Sequence, residues 1–252
     1  MAAKEQRRAY KGSDLGRVWA YLKPAIYVFG FYVAITIGFK SSKDIEGLTC
    51  PYFVWLAVGM TSWFYMRDLI PGGANCFYKY KIMHFKGRMP MTAIPTVPAM
   101  VAFRTQIVLL IAVIVLMFFY GCKPSIYWIQ LPFYILMMIL MSIVWGFFAG
   151  CLTVLSKDFY NILRSFNSMI MWLSGILFDI SKKAAKVKGL KWVFRFNPIT
   201  YIAEGYRNSL CREVWFFDEK IKLCCFLMVM AFFAIAGLLM FKRIEKELPD
   251  MI

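Results

Sequence analysis

Apolar and polar positions divide this chain into long hydrophobic blocks separated by short basic ones. Six apolar runs stand out, at 24–39, 51–72, 93–120, 130–155, 162–178 and 221–241. A helix rises about 1.5 Å per residue and the hydrocarbon core of a bilayer is about 30 Å thick, so runs of this size read as spans. The pattern predicts an all-α membrane protein with six transmembrane helices. Ahead of the first run, Leu15, Val18, Trp19 and Leu22 recur at helical spacing among Asp14, Arg17 and Lys23. That stripe predicts an interfacial helix over 13–23, which Pro24 interrupts before the first span. Between the fifth and sixth runs lies a different kind of segment. Asn197 is a good N-cap, and Pro198 occupies the first helical position, where proline is tolerated. Ile199, Ile202, Tyr206 and Leu210 then share one face while Glu204, Arg207 and Asn208 share another, with Glu204 three residues from Arg207. A helix over 198–210 is too short to cross and is expected to lie at an interface or dip partway in.

The predicted organisation is a single domain. Spans one to five occupy 24–178, an exterior segment 179–220 carries short gate helices, span six covers 221–241 and a tail covers 242–252. Hydrophobic residues make up 61% of the chain and aromatics 18%, with a mean hydropathy of +0.60. Those values exclude an ordinary soluble domain and leave no room for a separate catalytic one. The N-terminus carries Lys4, Arg7, Arg8 and Lys11 but no small-residue cleavage pattern, so no removable signal peptide is expected. The net charge is +16. Lys and Arg crowd the N-terminal stretch, the 67–104 segment, the 157–164 turn and the C-terminal tail. Against these, the short loops hold only Lys40, Lys43 and Lys123. The positive-inside rule then places both termini in the cytoplasm. Segment 179–222 is also basic, with Lys182, Lys183, Lys186 and Lys188, but long amphipathic segments determine topology weakly.

Catalytic and metal chemistry find little to work with. No G-x-x-x-x-G-K-[ST] phosphate loop occurs, and the lone histidine, His84, has no carboxylate-rich neighbourhood. Asp68, beside Arg67, is the one acidic residue near a span, so a buried proton relay has almost nothing to use. The expectation is no catalytic site, no metal and no cofactor in this chain. Seven scattered cysteines show no metal-ligand spacing and read as free thiols, with Cys50, Cys122 and Cys211 able to face outside. Arg67 and Arg104 fall near the cytoplasmic ends of their spans. They either snorkel to the headgroups or form a pair of planar forks suited to a phosphate at the mouth of a pathway. Trp55, Trp63, Phe64, Tyr65, Trp145 and Trp172 are mostly belt and packing residues, though some could stack on sugar rings. Gly146 and Gly150 form a G-x-x-x-G in span four, a motif common by chance. Between spans two and three, Lys79, Lys81, Lys86 and Arg88 alternate with Tyr78, Tyr80, Met83 and Phe85, a charged elbow long enough to dock a partner.

Four motifs in order carry a resemblance: LGRVWAYLKP from Leu15, GRMPMTAIPT from Gly87, LSKDFYNILRSF from Leu155, and NPITYIAEGYRNSL from Asn197 with VWFF from Val214. The chain resembles the permease subunits of type-2 ABC exporters, above all those that export teichoic acid and O-antigen polysaccharide. The resemblance implies a homodimer of permeases in the cytoplasmic membrane of a bacterium, driven by a separate ATPase subunit that carries the ATP and Mg. It implies a lipid-linked glycopolymer as cargo and no nucleic acid. Leu15, Trp19 and Leu22, with Lys81, Lys86 and Arg88 of an 81–89 coupling segment, would face the ATPase. Arg67 and Arg104 would meet cargo at the entrance. Ile199, Ile202, Glu204, Tyr206 and Arg207 would form an exterior gate. The lysines of 182–191 depart from the family pattern. Rival readings are a type-2 exporter of a small molecule, drug or lipid, a membrane-embedded polyprenyl-phosphate enzyme, and a channel.

Overall fold

The computed structural model describes residues 16–34, 48–87, 89–177 and 190–245, and among these every regular element is helical. A 3₁₀ turn at Gly16–Val18 leads into α1 (Trp19–Val33), followed by α2 (Tyr52–Ala74) and the short α3 (Cys76–Phe85). Then come α4 (Thr96–Phe119), α5 (Leu131–Leu155), α6 (Lys157–Leu173), α7 (Leu190–Phe196), α8 (Pro198–Arg207) and α9 (Lys220–Ile244). With their leading turns, the segments Met91–Phe119, Ile126–Leu155 and Lys220–Ile244 are long and apolar enough to cross a membrane. Their outer faces expose large apolar side chains such as Ile111, Phe118, Leu136, Phe232 and Leu239. A helix that shows so much hydrocarbon outward is built for a lipid surround.

The other runs behave differently. Helix α2 packs against α1, α4, α5, α6 and α8, and its residues from Val54 to Met66 are all buried. Because its neighbours are protein rather than lipid, α2 accommodates Thr61, Ser62, Arg67 and Asp68. The two hydroxyls return to the carbonyls of Ala57 and Gly59, at 2.8 Å each. Helix α6 is amphipathic, and it starts earlier and stops sooner than the fifth apolar run suggests. Ser156 adopts an extended conformation before Lys157, and Gly175 at φ +63° turns the chain away. The expected break at Pro24 is also absent: α1 continues through it, so Trp19 and Leu22 of the stripe and the start of the first apolar run share one helix. Leu15, Arg88 and the lysines at 182, 183, 186 and 188 lie outside the described residues.

Two local devices hold the bundle together. Pro71 inside α2 has no N–H to give the carbonyl four residues back, which belongs to Arg67. Asn167 of α6 supplies the missing donor, its Nδ2 reaching Arg67 O at 2.9 Å, while Trp145 of α5 donates to Ile70 O at 3.1 Å. Side chains from two neighbours thus bind the stretch of α2 that proline weakens. The G-x-x-x-G of α5 also has work to do: a Cβ on Gly150 would sit 2.8 Å from the Phe77 ring of α3. Phe77 is fully buried and stacks on Phe241 of α9 at 6.1 Å. Gly150→Leu is therefore expected to push α3 off α5 and to lower the thermal midpoint of the purified protein, whereas Leu140→Ala on the exposed side of the same helix should change it little. Equal midpoints for Gly150→Leu and wild type would refute this packing.

Candidate functional site

Helix α8 begins as the sequence predicts. The Asn197 side chain accepts from Ile199 N at 3.0 Å, and Pro198 occupies the first helical position. Its surroundings do not match the expectation of an interfacial helix: every residue from Ile199 to Arg207 is buried, wedged among α2, α5 and α9. Ile202 and Tyr206 are fully enclosed. The polar face is buried as well, so each of its groups needs a partner inside the protein.

The Glu204–Arg207 pair expected from spacing is replaced by two separate arrangements. Three residues along a helix leave side chains about 60° apart, and here they diverge towards different neighbours. Glu204 meets Lys222 of α9, with Nζ to Oε2 at 2.7 Å. Lys222 also reaches Glu219 at 2.6 Å, and the Asn208 Nδ2 donates to the same carboxylate at 3.1 Å, so one ammonium joins α8 to α9. Arg207 turns the other way and is only 2% exposed. Its guanidinium lies 3.5 Å over the Trp55 ring of α2 and donates to the carbonyls of Trp55 (3.4 Å), Gly175 (3.3 Å) and Ile176. An unpaired cation in a protein interior is costly unless fixed dipoles replace its water. Here three carbonyl oxygens and an indole face do so. The Gly175 and Ile176 carbonyls come from the turn after α6, left open where Gly175 ends that helix, and the Trp55 carbonyl comes from α2. Gly59 completes the nest: a Cβ there would fall within the guanidinium itself. Thr200 Oγ1 to Ser174 O, at 3.1 Å, and Asn197 Nδ2 to Ser174 Oγ, at 2.9 Å, seat the start of α8 on the same turn.

Beside α8, among α1, α2, α3 and α4, lies a cavity of about 250 Å³. Among the described residues, Lys23, Arg67 and Lys79 line it with one carboxylate, Asp68, which pairs with Arg67 at 3.1 Å. Trp19, Phe64, Tyr65 and Tyr80 form its aromatic walls, and the Arg67 guanidinium sits 5.2 Å from the Phe64 ring and 5.6 Å from that of Tyr27. Arg104 is not brought to this cavity. It is exposed on the opposite side of α4 from the lining face of Pro98, Val101, Ala102, Thr105 and Leu109, because two arginines at matching depth need not share a helix face. Gln106 closes the cavity towards α8, its Nε2 lying 3.4 Å from the Tyr206 hydroxyl. Further off, α3 presents Ile82 at 58% exposure, with Lys86 exposed just beyond it, Lys81 half-buried, and Leu22 of α1 exposed.

Trp55, Gly59, Gln106 and Lys222 were not singled out by sequence as site residues. Gln106 left a signal, an amide interrupting an apolar run. Lys222 stood only as the last basic residue of segment 179–222, and Gly59 gave no signal.

The apolar helices make this a multi-pass membrane protein, with a buried helix beside a cationic, aromatic cavity. A family model described as "ABC-2 type transporter" matches residues 1–211, and the chain belongs to that family of transporter membrane subunits. It is similar to the O-antigen export system permease protein RfbA of Myxococcus xanthus, 20% identical over 181 residues, which are 72% of this chain and 67% of the relative.

The carbonyl nest explains why Arg207 has to be an arginine. Arg207→Lys keeps the charge but gives up the planar fork and the stack on Trp55, and Arg207→Met takes the donor from the Gly175 and Ile176 carbonyls of the turn, at about 1–3 kcal/mol each. Both are expected to lower the thermal midpoint, Met more than Lys, and Gly59→Ala should act in the same direction by displacing the guanidinium. An Arg207→Met protein as stable as wild type would disprove the anchoring role.

Proposed function

We propose that the chain is the membrane half of a type-2 ABC exporter that moves a lipid-linked, anionic glycopolymer out of a bacterial cell. Two copies form the pathway and a separate ATPase subunit drives it. In this reading α1, α2, α4, α5, α6 and α9 are the six spans and both termini are cytoplasmic. The observation that carries it is the stacking of a buried helix on a cationic cavity. Helix α8, with α7, enters from the exterior and stops short of crossing. Beneath it Lys23, Arg67 and Lys79 face the cytoplasmic side, where a phosphate-linked headgroup arrives. Charge of that sign concentrates a polyanion, and the aromatic walls suit sugar rings.

Helix α8 is then the exterior gate, with Ile199, Ile202 and Tyr206 as its packed face, Glu204 fixed by Lys222 and Arg207 fixed by the carbonyl nest. Arg67 serves the entrance. Arg104, off the cavity, meets headgroups or the second copy. The relative's printed function, O-antigen export, supports a polysaccharide cargo. Trp19 and Leu22 of α1, with Lys81, Ile82 and Lys86, are the surface offered to the ATPase, and segment 81–89 is the coupling element. Leu15 and Arg88 belong to the same surface by sequence.

The deciding experiment co-expresses the chain with a candidate ABC ATPase subunit from the same genome and measures hydrolysis with and without lipid-linked glycan. The chain alone is expected to hydrolyse no ATP, and the complex to be stimulated by the glycan. Ile82→Asp with Lys86→Glu should leave insertion intact and break the coupling, with basal hydrolysis retained and export lost. Export at the wild-type rate in that double variant would remove α3 and its following turn from the interface. Stimulation by small amphiphiles and not by glycan would shift the cargo to a small molecule.

A further inference from the structure

Gln106 is the point at which the cavity and the gate helix touch. Its side chain is 1% exposed, and its amide has two arms. One faces the Tyr206 hydroxyl at 3.4 Å, and Tyr206 in turn lies 3.9 Å from Met138 Sδ of α5. The other, Oε1, has no hydrogen-bond partner. Turning the amide over exchanges oxygen for nitrogen and leaves the same tally, with one arm on Tyr206 and one unmet. An unmet buried polar arm carries a cost; of the five such side-chain atoms among the described residues, Gln106 Oε1 alone belongs to a residue lining the cavity. The neighbouring Tyr65 offers no such vacancy, because its hydroxyl already donates to Ala99 O at 3.3 Å.

We propose that the spare arm of Gln106 reads a hydroxyl of the sugar next to the phosphate of a glycolipid in the cavity, and that the Gln106–Tyr206 contact carries that occupancy to α8. The inference rests on the reading of the cavity as the cargo's entrance. A hydroxyl fits because it both donates and accepts, so it satisfies the amide in either orientation. The phosphate would lie towards Lys23, Arg67 and Lys79, which recognise charge but cannot tell one phosphate ester from another. Gln106 adds that discrimination: a site built to hydrogen-bond a hydroxyl rejects a ligand lacking it. Tyr206 immediately precedes Arg207, so a shift of its ring acts on the residue anchored in the carbonyl nest. A ligand moves an equilibrium only through contacts that differ between two states, and this hydrogen bond is one such contact.

The test uses the full chain in lipid nanodiscs and two probes, a polyprenyl pyrophosphate bearing one hexose and the same lipid without the sugar. Binding is read by native mass spectrometry, and the response of the gate by hydrogen exchange over 198–212. The wild type is expected to bind the sugar-bearing lipid more tightly and to slow exchange in that segment when it does. Gln106→Leu should weaken the sugar-bearing lipid about tenfold, about 1.4 kcal/mol, and leave the bare lipid unchanged. Gln106→Asn, which keeps the amide but withdraws it, should do the same and decides the matter if Gln106→Leu does not fold. Tyr206→Phe should keep the binding and lose the slowed exchange. Equal effects of the Gln106 variants on both lipids, no effect on either, or a Tyr206→Phe protein that still responds would overturn the inference. Wild-type protein that binds both lipids alike removes the sugar contact and leaves the entrance standing. Wild-type protein that binds neither removes the entrance, and the inference with it.

Discussion

The burial of one positive charge organises this structure. Arg207 lies inside a helical bundle with no ion-pair partner among the described residues, and the surrounding chain is arranged to make that tolerable. A guanidinium stripped of water must have its five donors and its charge answered by fixed dipoles. The turn after α6 answers with the carbonyls of Gly175 and Ile176, and α2 with the Trp55 carbonyl and the Trp55 ring. Gly59 leaves the space. Because α2, α6 and α8 all meet at this residue, the position of α8 is linked to that of the central helix. A helix held by such a nest has discrete positions, since a partly withdrawn guanidinium would meet neither its carbonyls nor water.

The second clamp works by different physics. Lys222 bridges Glu204 and Glu219 and ties α8 to α9 through ordinary ion pairs at a partly exposed site. Pairs of that kind are screened and contribute modestly. One side of α8 is therefore held strongly to the core and the other weakly to the last helix. Any motion of α8 is expected to begin at the α9 side, where less is lost on separation.

The central place of α2 accounts for its mixed composition. A helix facing lipid must be apolar throughout, whereas one surrounded by protein can carry hydroxyls, an arginine and a proline, provided each is answered. The Pro71 defect is answered by Asn167, and Arg67 by Asp68 and two aromatic faces. The same chemistry that disqualifies α2 as a simple hydrophobic span lets it wall the cavity. Family membership and the geometry agree at this point, since a transporter needs a polar interior inside an apolar shell.

Local rules were enough for much of the architecture. Hydrophobic runs determined α4, α5 and α9, because a lipid-facing helix has to be apolar along its own length. The Asn197–Pro198 pair determined where α8 starts, because a cap acts within three residues. The sequence alone also established the absence of a phosphate loop and the basic elbow. What it could not decide was the environment of α8. A ten-residue helix with a charged face reads as a surface helix, because the rule assumes that the charged face meets water. Here the partners of Arg207 lie 31 and 152 residues away and the partner of Glu204 18 residues away, and nothing in the helix specifies them. The same limit left open the facing of Arg104, whose depth follows from counting residues but whose direction depends on how α4 rotates against α2. Periodicity and capping are properties of one segment. The answering of a buried charge belongs to several segments at once, and only the tertiary structure brings them together.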